Sequence, residues 1–432
     1  MGTYKDSGIE WIGEIPEEWE VSKVKYKYEF TTGFTPDTSN SEFYDDENGA
    51  IWVTIADIDE NKYIFDSKSK LSSIYIETYT PKPVKKGSLL YSFKLSVGKT
   101  AFAGTDLYTN EAIGAFINHE NVNLNYLNYA SFLMEFNANR NIYNAKLLNS
   151  TLIKNSITVV PPLQEQAAIA DFLDKKNAEI DAITAKITQQ IQTLKDYRQS
   201  LITETITKGL DKTVSYKDSG IEWIGEIPEG WDIIKIKHAF KLFAGGDIDY
   251  NDYSEEQEGF YQYPILANSL ENSGIIGFTS KYRFSGETIT ITGRGSVGVA
   301  FYRNFPYFPV VRLLVGVPIR NLSIKYVTYS INSFDTIGEQ TAMTQLTTDK
   351  LGVEKIPLPP LQEQKAIADF LDDKTAKIDR IIAKKEQQLD IIKEHRKSLI
   401  YEYVTGKKKS KGVSTRWELE RVNYVNEKII NN

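Results

Sequence analysis

The chain states one frame twice. Tyr4 to Trp19 read YKDSGIEWIGEIPEEW and Tyr216 to Trp231 read YKDSGIEWIGEIPEGW, agreeing at fifteen of sixteen positions. A second pair, PPLQEQAAIADFLD from Pro161 and PPLQEQKAIADFLD from Pro359, agrees at thirteen of fourteen. Between these markers the inserts Glu20 to Val160 and Asp232 to Leu358 diverge, and the first is fourteen residues longer. A catalytic domain duplicated for its chemistry would tend to keep the chemistry and vary the frame. Here the frame is kept and the insert varies, so one framework presents two different surfaces.

After each PPLQEQ the pattern turns helical. The proline pair cannot continue a strand ladder and suits a helix start. A heptad follows, with one seam at Leu173, Ile180, Ile187, Leu194 and Leu201 and a companion at Ile169, Lys176, Ile183, Gln190 and Tyr197. The second copy keeps the register at Leu371, Ile378, Lys385, Ile392 and Leu399, with Ile367, Ile381, Gln388 and His395 beside it. No Gly or Pro interrupts Gln164 to Lys208, and Gly209 and Gly406 are plausible stops. Each helix is about 45 residues, or roughly 65 Å. The economical partner for each is the other, in a coiled coil. The expected architecture is mixed α/β (α+β): two globular domains joined by two long antiparallel helices with pseudo-two-fold symmetry. Its boundaries are 1–160, 161–209, 210–358, 359–406 and a basic tail at 407–432 with a short amphipathic helix. Within the inserts, strands are expected at Ile51 to Ile55, Ser88 to Phe93, Thr288 to Thr292 and Val297 to Tyr302. Helices are expected at Tyr126 to Phe136 and Ile324 to Phe334.

Composition narrows the chemistry. There is no cysteine, which removes disulfides and thiolate metal sites, and the three histidines are scattered. No apolar run approaches the ~18 residues of a membrane helix. No basic-then-apolar leader pattern is seen, so a cytoplasmic location and no membrane partner are expected. The net charge of −7 speaks against nucleic acid only if read globally. Lys82 to Thr105 carries five lysines and no acid, while Lys281 to Lys325 carries seven cations against Glu287 alone. Acids gather instead at Glu42 to Glu47 and Asp247 to Glu258.

Ser96-Val97-Gly98-Lys99-Thr100 looks like the end of a phosphate-binding loop, but Phe93 stands where that loop needs its first glycine. Gly293-Arg294-Gly295-Ser296-Val297-Gly298 has the glycine spacing of a dinucleotide loop but leads into a strand-like run. What this loop offers is close backbone approach beside a guanidinium, the group suited to guanine O6 and N7. Arg294 equally suits a structural brace to an acid. Lys94 holds the matched place in the first insert. The candidate DNA-contacting residues are Arg294, Ser296, Arg283, Lys281 and Arg303 in the second insert, and Lys94, Ser96, Lys99, Lys85 and Lys86 in the first. No catalytic or metal-binding residue is expected. A duplicated nuclease or methyltransferase would repeat a carboxylate or cofactor motif, and none is found. A coiled-coil scaffold without DNA remains the other alternative.

GIEWIGEIPEEW, GIEWIGEIPEGW, the paired PPLQEQ…AIADFLD helices and Ile291 to Gly298 resemble the specificity subunits of type I restriction-modification enzymes. The likeness runs to about Gly406, and Lys94-Leu95-Ser96 departs from the commoner Arg-Gly-Ser wording. The resemblance implies that each insert is a target recognition domain reading one half of a bipartite asymmetric site in double-stranded DNA. The helices would set the spacing and dock two methyltransferase subunits and, through them, the restriction subunits. S-adenosylmethionine, ATP and Mg would belong to those partners, with no cofactor in this chain. A type IIB-like system would use a similar subunit.

Overall fold

The computed structural model describes residues 3–408 except 60, 95, 141–145 and 334–344. The expected tail falls almost wholly outside the described residues. The chain forms two compact units, Met1–Lys186 with Gln388–Asn432, and Ile187–Gln387. Each unit holds one insert, the start of the long helix that follows it and the end of the other long helix.

The long helices run Leu163–Lys208 and Leu361–Val404. Their starts are built alike. The Gln166 amide donates to the Pro161 carbonyl and Gln364 to Pro359, both at 2.8 Å. First-turn acids suit the positive end of the helix dipole, and here each has a second task. Trp19 Nε1 donates to Glu165 Oε2 and Trp231 Nε1 to Glu363 Oε2, both at 2.9 Å. The helix ends are closed by the repeated marker. Gly209 and Gly406 have φ of 71° and 73°, the left-handed stop that glycine adopts without strain. A Cβ at Gly406 would lie 2.4 Å from Pro16 and 3.0 Å from Trp19, and one at Gly209 would lie 3.0 Å from Trp231. The glycine thus serves close packing as well as backbone conformation.

Within each unit the two helix portions are antiparallel. In the first unit Phe172 stacks on Tyr403 at 4.4 Å, and Arg396 donates to Asp181. In the second, Lys385 donates to Gln190 at 2.7 Å and Arg198 Nη2 to Asp379 at 3.3 Å. The main seam is as expected: Leu173, Ile180, Leu371, Ile378 and Leu399 are buried, and Ile187, Leu194, Leu201 and Ile392 are half-buried. The companion seam holds at Ile169 and Ile367, both buried, and is corrected by one residue further along both copies. Ile183, Ile381 and Tyr197 are 45%, 45% and 57% exposed, whereas Ile191, Ile382 and Tyr403 are buried. Positions three and four residues along a helix both neighbour the seam. The latter wins because Arg198 and Arg396, half-buried at that position, lay their apolar stems along the groove and end on Asp379 and Asp181.

The inserts are built on matching sheets. The first unit has a five-stranded sheet in the order Phe30–Thr32, Ile113–Phe116, Leu89–Ser92, Thr100–Ala103, Tyr63–Ile64. The second has a four-stranded sheet in the order Phe240–Ala244, Leu313–Pro318, Thr288–Thr292, Ala300–Arg303. Each insert also has a three-stranded sheet, and a strand pair (Glu20–Lys23 with Ile157–Val160; Asp232–Lys235 with Lys355–Leu358) that closes it next to the long helix. The Tyr126 hydroxyl, fully buried, donates to Val159 O at 2.9 Å and Val404 O at 3.2 Å. Tyr326 makes the corresponding bonds to Pro357 O at 3.0 Å and Ile206 O at 3.5 Å. One hydroxyl proton is thereby shared between a carbonyl in the insert and one at a helix end, so that the buried hydroxyl is not left unpaired. The expected strand Val297 to Tyr302 starts later, at Ala300, because Gly298, at φ 87°, turns back to donate to Thr292 O. The expected helices are Leu124–Ala130, continued by a 3-10 segment to Asn137, and Ile324–Ile331.

Candidate nucleic-acid interface

Both candidate loops are hairpins at the same end of their sheets. In the second unit Thr292 N donates to Val299 O and Gly298 N to Thr292 O; in the first, Ser92 N donates to Lys99 O and Gly98 N to Ser92 O. Thr292 pairs with Leu313 as Ser92 pairs with Ile113. Lys94 and Arg294 therefore hold equivalent backbone positions, as do Ser96 and Ser296. Gly98 continues into the strand Thr100–Ala103, so no phosphate-binding loop forms there. Its φ of 94° is that of a turn glycine.

In the second unit Arg294, Gly295 and Ser296 are exposed, whereas Gly293 is buried. A Cβ at Gly293 would lie 2.2 Å from Arg312 O, so only glycine lets the hairpin sit this close to the neighbouring turn. Gly293 N donates to Asn268 Oδ1 at 2.7 Å, and its carbonyl accepts from Leu346 N at 2.9 Å. The loop's base is thus fixed while its tip faces solvent. Arg312 is exposed and carries a φ of 72°, a left-handed backbone that is uncommon for a side chain of this size. It was not among the residues expected at the site, because nothing in its sequence neighbourhood signals that conformation. Arg283 reaches the same end of the sheet, donating from Nη1 to Ala244 O at 3.2 Å with its guanidinium over Phe284. Lys281 is exposed two residues before it.

Arg303 does not belong to this surface. It is 4% exposed. It donates through Nε to Thr290 Oγ1 at 3.0 Å and through Nη2 to Ser273 O at 2.7 Å. Burial pushes its guanidinium pKa down to about 10. It braces the sheet interior beside Thr290, with its guanidinium over the rings of Phe301 and Phe305.

The first unit places its candidates differently. Lys94 is 47% exposed and stands 4.0 Å from Glu111, which is 51% exposed. Thr35 donates to the other Glu111 oxygen. That hydrogen bond, followed by smaller effects that include the Lys94 charge, holds the Glu111 carboxyl below its usual range. Ser96 is half-buried, and Lys99 donates to Ile58 O at 3.3 Å. Lys85 and Lys86 sit at the other end of this strand. Lys85 is paired with Asp106 at 2.7 Å, and that hydrogen bond holds the Asp106 carboxyl low. Lys86 receives Asp106 on its backbone N–H at 2.9 Å, and its side chain is exposed. The structure thus brings Arg294, Ser296 and Arg283 to one sheet end together with Arg312, and Lys94 and Ser96 to the matching end. It separates Lys85 and Lys86 from both groups and takes Arg303 inside.

Among the described residues no cluster of metal-ligating side chains is found, and no helix is long and apolar enough to cross a membrane. Residues 16–193 and 228–391 match the family model of the type I restriction modification DNA specificity domain. A Methanocaldococcus jannaschii protein bearing the name of a type I restriction enzyme MjaX specificity subunit is 28% identical over 429 residues, spanning 92% of this chain and 95% of that one. The type I restriction enzyme EcoBI specificity subunit of Escherichia coli is 25% identical over 218 residues, spanning 48% of this chain and 42% of that one. The fold is shared with a chain from a structural study of complex assembly and conformational transition of the type I R-M system, at a TM-score of 0.70 and 14% identity over 90% of this chain and 98% of that one. It is shared also with the HsdS subunit from Thermoanaerobacter tengcongensis, at a TM-score of 0.50 and 16% identity over 91% and 98%. With the family model matched once in each half, on the repeated frame and through both inserts, the chain belongs to the type I restriction modification DNA specificity family.

Proposed function

We propose that this chain is the DNA sequence-recognition subunit of a type I restriction-modification complex, each unit reading one half of a bipartite, asymmetric site. The observation that carries this is the pair of glycine-turned hairpins at equivalent sheet ends, exposed and cationic, on a frame that is otherwise repeated. Arg294 supplies a planar fork that matches guanine O6 and N7. Lys281 and Arg283 supply positive charge for phosphates, whose neutralisation releases counterions and makes binding salt-dependent. Lys94 does the corresponding work in the first unit. Lys85, tied to Asp106, contributes less.

The repeated frame is what two identical partners would recognise, so two methyltransferase subunits dock there and restriction subunits assemble through them. The length of the two long helices would set the half-site spacing. Chemistry rests with the partners: S-adenosylmethionine and the pocket for the flipped base in the methyltransferase, ATP and Mg in the restriction subunit. The work of this chain is recognition, carried out in the cytoplasm on double-stranded DNA. The test is single-molecule methylation mapping in a host that carries the chain with its methyltransferase partner. A split motif that depends on this chain supports the reading. Methylation without a motif, or none, sinks it.

A further inference from the structure

The two hairpin ends share a backbone but have opposite hydrogen-bonding character. In the second unit the turn beside Arg294 carries Val311 and Arg312, both exposed, with no acid in the turn. In the first unit the equivalent turn carries Glu111 and Ala112, since Ile113 pairs with Ser92 as Leu313 pairs with Thr292. Where the second unit offers two guanidinium groups and no carboxylate, the first offers a carboxylate beside Lys94. That carboxylate is held in place: Thr35 donates to one oxygen, and Lys94 lies 4.0 Å from the other. Its backbone is pinned as well. Ala112 O accepts from Phe93 N, Ala112 N donates to Asn110 Oδ1, and Ile113 N donates to Asn110 O. Yet half of the Glu111 side chain faces solvent. A carboxylate on a DNA-reading surface repels phosphates, and Thr35 and Lys94 leave half of this one free to accept a hydrogen bond from outside the chain.

We propose that Glu111 is a specificity-determining residue of the first half-site, accepting a hydrogen bond from a base amino group, and that this base is cytosine. The proposal rests on the DNA-reading function argued above. Two bases present an amino group in the major groove, cytosine through N4 and adenine through N6. Adenine sets its N7 acceptor beside that group, where it faces the second carboxylate oxygen lone pair to lone pair. Cytosine carries C5–H, not an acceptor, in the place of N7, and the O6 of its paired guanine lies on the other side as thymine O4 does for adenine, so a carboxylate fits it better. An amide in the same place reverses the preference, because glutamine donates to N7 while accepting from N6.

The experiment compares wild type, Glu111→Gln and Glu111→Ala, each full-length and co-expressed with the methyltransferase partner, by methylation mapping and by binding to duplexes varied at each position of the first half-site. Wild type is expected to prefer cytosine at one position by about ten- to a hundred-fold. Glu111→Gln is expected to move that preference to adenine, and Glu111→Ala to abolish it. The second half-site should be unchanged in both, which also reports that the variants are folded and assembled. A wild-type preference for adenine at the position that Glu111→Ala relaxes overturns the cytosine assignment. An unaltered first half-site in both variants overturns the role of Glu111 while leaving the recognition function intact. Absence of any motif in wild type removes the function itself.

Discussion

At the closure of each helix end the two units are built from the same side chains. Trp19 and Trp231 donate to Glu165 and Glu363 at the same 2.9 Å, and Tyr126 and Tyr326 each bridge two carbonyls. At the hairpin tips the backbone hydrogen bonds again coincide, but the side chains do not: Lys94 with Glu111 in one, Arg294 with Arg312 and Val311 in the other. The difference teaches how such a molecule divides its labour. Residues that close the frame have fixed partners inside the chain, so their identities cannot drift. At the tips the side-chain contacts differ between the units, and Arg294, Gly295 and Ser296 face solvent, so identity there is free to follow an outside partner.

The largest test of that division is a pair of tryptophan variants. Trp19→Ala and Trp231→Ala should each cost about 3–5 kcal/mol, because each removes a fully buried ring and strands a first-turn glutamate. Hydrogen exchange should show protection lost in the affected unit, and to a similar degree in both. A large effect in one and a small one in the other would break the claim that the frame is equivalent. Arg303→Ala should cost about 1–3 kcal/mol by leaving Ser273 O and Thr290 Oγ1 unpaired, without altering the methylated motif. A changed motif with unchanged stability would return Arg303 to the reading surface.

Much of this was legible because the frame is repeated. Two near-identical markers and two heptad runs give the long helices, their stops at Gly209 and Gly406 and their main seam. Beyond Ile169 and Ile367 the companion seam shifts by one residue, because positions three and four along a helix both neighbour the main seam. What decides is Arg396 meeting Asp181, 215 positions apart, and Arg198 meeting Asp379, 181 positions apart. Arg303 reads as one more cation in a basic run, and only its bonds to Thr290 and Ser273 show that it points inward. Arg312 and Glu111 were missed for a related reason. Their importance comes from a turn beside another hairpin, and no local motif encodes that neighbourhood.

Smaller effects sharpen the contrast at the tips. Arg294→Ala should cost about 1–3 kcal/mol of binding and relax one position of the second half-site. Lys94→Ala should act on the first half-site alone. Equal loss on cognate and non-cognate duplexes would move Arg294 among the phosphate contacts. The smallest effect is expected at Lys281, where alanine should weaken all sequences alike and lower the salt slope by about one. Affinities at two salt concentrations measure it, and an unchanged slope would show that Lys281 faces away from the duplex.

The central claim, that a constant frame carries two independent readers, is tested most directly by exchanging the insert Glu20 to Val160 for that of another family member and mapping methylation by single-molecule sequencing. The account predicts a motif in which one half is replaced and the other is retained base for base. A hybrid in which both halves change together, or in which the retained insert no longer reads its own half-site, would contradict it.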